Sequence, residues 1–104
     1  MFQTTIEHDL HTLAEVQREM ERQIELWGVQ HHPSGTGYAL SASTLEFARD
    51  NFAKCQKIGL LTWHEILEEE VHEAYVETDP QKLRTELIQV AAVALSWVRD
   101  LDTK

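Results

Sequence analysis

The stretch WHEILEEEVHEAY, residues 63–75, decides how the chain is read. It places five glutamates in the nine residues from Glu65 to Glu73. A run of like charge on a helix is ordinarily a solvated face, so the direction of each carboxylate matters. Each helical residue advances roughly 100° around the axis. On that count Trp63, Ile66, Leu67, Val71 and Ala74 share one broad face, while Glu65, Glu68 and His72 fall opposite, in solvent. Glu69 sits near the boundary. Glu70 breaks the pattern and falls inside the apolar face, between Ile66 and Trp63. Glu73 lies just beyond Ile66 on the same side, and Glu77 continues that line one turn later.

The last helical stretch behaves in the same way. Glu86 falls among Val90, Val93 and Trp97 on the core side, and Gln89 follows at the edge of that face. Two neighbouring helices thus each carry a core-facing glutamate with a second polar group three residues on. An unpaired buried carboxylate is costly, so it must be protonated, paired with a base or bound to a metal. No lysine or arginine occupies the facing stripes, although Arg84 is within reach by sequence. Converging carboxylates also repel one another. A hard divalent cation such as Mg²⁺ answers both problems, because it takes oxygen ligands. The pattern leaves a second reading open, in which the helices are rotated slightly and the acids lie at the edge of the bundle.

The punctuation of the chain predicts four helices and no strands. A capping box at Thr4 and Glu7 starts the first, which runs to Trp27 with Ile6, Leu10, Leu13, Met20 and Ile24 at helical spacing and Gly28 as its stop. GVQHHPSGTGYALSA, residues 28–42, reads as a long loop. Ser43 and Glu46 form a second box, opening a short helix with Leu45, Ala48, Phe52 and Cys55 inward and an end near Lys57. Thr62 and Glu65 form a third. Asp79 before Pro80 starts the last helix, expected to reach about Leu101. That helix is apolar around most of its circumference, from Leu87 through Val98. One small chain has too little material to cover it, which points to a second subunit.

Composition bounds the rest. A chain of 104 residues, 42% hydrophobic and 26% charged, is expected to be one globular domain spanning residues 1–104. The single cysteine, Cys55, allows no internal disulfide and no cysteine-based metal framework, and fits a reducing, cytoplasmic setting. The first residues lack the pattern of a signal peptide, and the longest apolar run, VAAVAL, is too short to span a membrane. A net charge of −9 argues against a nucleic-acid polymer or an anionic membrane as partner. It still allows a small anionic ligand if metal ions stand between the ligand and the acids.

EEVHE, residues 69–73, resembles the EExxE motif of the MazG-like all-alpha nucleoside triphosphate pyrophosphohydrolases. In that family the motif is followed by ExxD. Here 12 residues separate Glu73 from Glu86, and ELIQ stands in the ExxD position. The flanking segments ELWGVQHHPSGTG, TWHEILEEEVHEA and LRTELIQVAAVALSWVRDL extend the likeness over most of the chain, toward the short single-domain members common in phages and some bacteria. The resemblance implies a four-helix MazG-like bundle completed by oligomerisation to a dimer or tetramer. It implies Glu70, Glu73, Glu86 and Gln89 as metal positions, Gln89 being a neutral departure from the aspartate. It also implies Mg²⁺, with Mn²⁺ able to substitute. The implied reaction is hydrolysis of a (deoxy)nucleoside triphosphate to the monophosphate and pyrophosphate in nucleotide-pool control, with dGTP as the first substrate to expect.

Within that frame Glu69 is the candidate for orienting the attacking water; its other reading is solvated surface. Gln17, inside the apolar stripe of the first helix, is a candidate for reading a base edge. Trp27, Gln30, His31 and His32 cluster where that helix enters the long loop and could stack on and bond a nucleobase. Lys54, Lys57 and Arg84 are candidates for phosphate contacts. Two rivals remain. A carboxylate-bridged di-iron site would use Glu69 and His72 as an ExxH pair, but needs a second such pair, where the last helix offers Gln89. A non-catalytic helical nucleotide-binding or interaction module would keep the fold without the chemistry.

Overall fold

In the computed structural model the described residues are 2–104, with side chains described from Thr5 onward. They form four helices, α1 (Phe2–Trp27), α2 (Ala39–Lys57), α3 (Trp63–Val76) and α4 (Pro80–Thr103), and no strand occurs among them. The all-α expectation therefore holds. No helix among the described residues is long and apolar enough to cross a membrane.

Local chemistry explains most of the boundaries. Gly28 ends α1 with a positive φ of 72°, and its amide returns to the Ile24 carbonyl. At the end of α2, the Gly59 amide bonds the Gln56 carbonyl and the Leu60 amide bonds the Cys55 carbonyl. That pair of bonds around a left-handed glycine is a Schellman closure, which satisfies carbonyls the helix would leave open. Glu65 reaches back from α3 to accept from the Thr62 amide at 2.9 Å and the Thr62 hydroxyl at 2.8 Å, completing the capping box. Asp79 caps α4 by accepting from the Lys82 amide at 2.9 Å, with Pro80 in the first helical position.

Four expectations are corrected. The second helix begins at Ala39, not Ser43, and its N-cap Tyr38 makes no side-chain capping bond. Ala39, Leu40, Ser41 and Ala42 contain no breaker, so the helix extends one turn beyond the box-like pair and shortens the loop to residues 28–38. The first helix already includes Phe2, so Thr4 lies inside it; the Thr4 side chain lies outside the described residues. The last helix runs two residues past Leu101, to Thr103. Glu65 is buried rather than solvated, because the capping box folds its carboxylate onto Thr62.

The chain divides into two compact units. One contains α1, the residues up to Pro33 and Val98–Lys104 at the end of α4. In it His8 Nε2 lies 2.8 Å from Asp102 Oδ2, and an Arg99–Asp9 ion pair at 3.6 Å lies one turn away. The other, Ser34–Trp97, contains α2, α3 and most of α4. There α2 lies along α3, and its buried apolar residues are Leu45, Ala48 and Ala74. The end of the long loop is fastened to the C-terminus of α3: the Gly37 amide donates to the Tyr75 carbonyl at 2.8 Å and the Thr36 hydroxyl to the Glu77 carbonyl at 2.6 Å. Gly37 has a φ of 86°, and a Cβ there would collide with the Thr78 side chain, so this fastening requires glycine.

Candidate metal centre

Along α4 the half-buried positions include Leu83, Glu86, Val90, Val93 and Trp97, which recur at three- and four-residue spacing and put Glu86 on the inner stripe. On α3 the half-buried residues include Ile66, Leu67, Glu70, Val71 and Glu73. These two stripes bring Glu70, Glu73 and Glu86 together, one carboxylate oxygen from each lying within 4.8 Å of the others. The helical count had selected the same three residues.

Gln89 joins them. With its amide nitrogen turned toward the acids, Nε2 donates to Glu86 Oε2 at 3.1 Å and to Glu70 Oε2 at 3.3 Å. The Gln89 amide thus bridges the two helices. Its oxygen would have to turn inward to serve a cation, which makes Gln89 the most conditional of the four positions.

The electrostatics follow from crowding. Desolvation raises the Glu70 carboxyl above its ordinary value, and Glu73, Glu86 and Glu69 push it further. Glu86 is raised by desolvation first, then by Glu73 through charge and a shared hydrogen bond, then by Glu77, with Arg49 opposing. Glu69 is raised by desolvation and by Glu73, again with Arg49 opposing. Arg49 on α2 was not among the sequence candidates. Its guanidinium lies 3.6 Å from Glu73 Oε1, which corrects the expectation that no base faces the cluster. The packing of α2 on α3 through Leu45, Ala48 and Ala74 carries the neighbouring Arg49 there. Its position beside Ala48 and one turn after Leu45 was the available signal.

The residues fit a hard cation. Ligands about 2.1 Å from Mg²⁺ in an octahedral array lie roughly 3 Å apart when adjacent and about 4 Å when opposite. One carboxylate oxygen from each of the three acids already lies within 4.8 Å of the others, close to that spacing. A cation would also relieve the repulsion that raises Glu70 and Glu86. No histidine joins the cluster: His72 Nε2 lies 2.9 Å from Glu68 Oε2, and its ring packs edge-on against Tyr75. A Glu69–His72 di-iron pair therefore has no support.

The proposed substrate contacts divide by unit. Trp27 and Gln30 line an open concavity of about 580 Å³ with Met20, Gln23, Ile24 and Gly28. Gln17 does not line it. Gln17 is exposed rather than core-facing, and its side-chain amide donates to Glu21 Oε1 at 3.4 Å. His31 is exposed, and His32 bonds the Gln30 side chain at 3.1 Å. Lys54, Lys57 and Arg84 are exposed, and none of them forms an ion pair with the carboxylate cluster.

Comparison with protein families, with curated proteins and with solved structures finds no match in any of the three.

Proposed function

We propose that the chain is a metal-dependent nucleoside triphosphate pyrophosphohydrolase of MazG-like type. The observation that carries this reading is the convergence of Glu70, Glu73 and Glu86 from two helices, in the spacing that the EExxE resemblance implies. Glu70, Glu73 and Glu86, with Gln89 after its amide turns, would hold Mg²⁺ or Mn²⁺. Bound there, a divalent cation would supply charge screening for the triphosphate and Lewis-acid polarisation at the α-phosphorus. Glu69 orients the attacking water and takes its proton; its raised carboxyl suits that role, since a better base sits closer to neutral pH. Water oxygen adds to the α-phosphorus, the bridging bond to the β-phosphate breaks, and pyrophosphate leaves with that electron pair. Trp27 and Gln30, which share one concavity of the first unit, are the candidates for a nucleobase contact. The first substrate to test is dGTP.

Self-association belongs to the same reading. Along α1, Leu10, Leu13, Met20, Ile24 and Trp27 are 46–63% exposed in the single chain, and on α4 Leu87 and Ile88 are more than half exposed. Apolar faces of that extent are normally covered by a partner, here a second copy in a dimer or tetramer. A cytoplasmic setting fits the single cysteine.

A second reading has one observation in its favour. Gln89 and Arg49 already offer the acids hydrogen-bond donors and positive charge without a cation. A non-catalytic module of the same fold would use the cluster in that way. A nucleotide panel with Mg²⁺ or Mn²⁺, reading monophosphate and pyrophosphate separately, distinguishes the two. The enzyme releases both in equal amounts and stops in excess chelator. A module releases neither.

A further inference from the structure

Arg49 is the one basic residue that the described ion pairs place on the carboxylate cluster. Its contact with Glu73, 3.6 Å from Nη2 to Oε1, is longer than a hydrogen bond, and its side chain is 57% exposed against 22% for Glu73. The guanidinium is therefore loosely held and open to solvent on its outer side. It also borders a concavity of about 400 Å³ between α2 and the end of α3, lined by Ala42, Leu45, Glu46, Asp50 and Val76. Its field reaches Glu69 and Glu86 as well as Glu73. A cation entering the cluster competes with Arg49 for Glu73.

We infer that Arg49 is a phosphate-binding residue that changes partner: it neutralises Glu73 in the free protein and takes a phosphate of the bound triphosphate once a cation occupies the carboxylates. This rests on the pyrophosphohydrolase reading. Arginine suits the task because its planar fork of donors matches phosphate oxygens two at a time and keeps its charge. Glu46 and Asp50 on the same rim repel a bare anion, so the contact forms with the metal complex of the phosphate rather than with free phosphate. The phosphates engaged are those leaving as pyrophosphate, so magnesium pyrophosphate should compete for the same group.

The test uses the full chain with the nucleotide it hydrolyses best, and compares wild type with Arg49→Gln and Arg49→Lys. KM, kcat, inhibition by magnesium pyrophosphate, and Mn²⁺ affinity without nucleotide are measured for each. Loss of a charge-assisted contact should raise KM and the pyrophosphate inhibition constant of Arg49→Gln together, by about tenfold or more. Mn²⁺ affinity should stay equal or become tighter, because a competing positive charge is gone. Arg49→Lys should fall between. A KM and an inhibition constant within twofold of wild type would overturn the inference. So would weakened Mn²⁺ binding, which would make Arg49 a support for Glu73. If Arg49→Gln does not fold, Arg49→Lys decides alone, since it keeps the charge and loses the fork: a rise in both constants of about threefold or more supports the assignment, and no rise overturns it. A wild-type protein that turns over no nucleotide removes the pyrophosphohydrolase reading and this one with it.

Discussion

Glu70 and Glu86 hold their protons more tightly than exposed glutamates do, because desolvation and neighbouring carboxylates both oppose their charge. A carboxyl raised in the folded state binds more protons folded than unfolded. Its stabilising contribution is complete below the ordinary value of 4.5 and is lost as pH rises through the raised value. The metal-free protein should therefore lose stability from these groups as pH rises above the ordinary value of 4.5. Glu70→Gln and Glu86→Gln should remove part of that slope. For Glu70, with Glu73 one helical turn on, relief of like charge is worth ~0.2–0.5 kcal/mol, or about 1–4 °C of Tm in a domain of this size. Melts in chelator at neutral pH check this: variants melting no higher than wild type would show that the carboxylates are not in conflict. Glu19 acts in the other direction, its carboxyl pulled down to about 2 by hydrogen bonds from Arg22 and Gln23. Its contribution is lost only as pH falls below 4.5, so the two windows are separable.

Gln89 carries a sharper residue-scale prediction. Gln89→Asp removes the amide that donates to Glu70 and Glu86 and adds a fourth negative charge. The metal-free variant should lose about 1 kcal/mol, and Mg²⁺ should raise its Tm by more than it raises that of wild type. Equal Mg²⁺ shifts in the two proteins would place Gln89 outside the site. The three glutamates were legible in the sequence because helical period alone sets their direction. Arg49 was only half legible: its place beside Ala48 and one turn after Leu45 put it next to the inner stripe of α2, but periodicity within α2 does not name the helix that the stripe packs on.

At the scale of the element, α3 owes its start to one reciprocal cap. Glu65 accepts from the Thr62 amide and hydroxyl, and those bonds, together with His64, hold its carboxyl below the usual range. Thr62→Ala should cost ~0.5–1 kcal/mol and Thr62→Ser almost nothing. Because Glu70 and Glu73 ride on the same helix, the alanine variant should also weaken metal binding if fraying reaches the second turn; denaturant melts with and without Mg²⁺ read both effects. Thr62–Glu65 and Asp79–Pro80 were legible because the capping bonds are made within a few residues. Ser43–Glu46 has the same spacing and marks no boundary, since helix-compatible residues precede it and the helix runs through. The burial of Glu65 was missed for a related reason: a helical count gives the direction of Cβ and says nothing of a side chain folded back along the axis.

At the scale of the whole molecule, the question is what covers the apolar faces. Gln17 was expected to face a core and is exposed, and its neighbours Leu13 and Met20 are 46% and 53% exposed. The expected outcome is a stable homodimer or larger assembly by light scattering at micromolar concentration. A monomer there would mean that these faces are tolerated in water. The central claim concerns the cation. Titration of Mn²⁺ into the metal-free protein, followed by the loss of the free-ion resonance, tests it most directly. Wild type should bind at least one ion, and Glu70→Gln and Glu86→Gln should each weaken that binding by about tenfold or more, since each removes one charged ligand. Undiminished Mn²⁺ binding in both variants would contradict the assignment of Glu70, Glu73 and Glu86 as the metal centre.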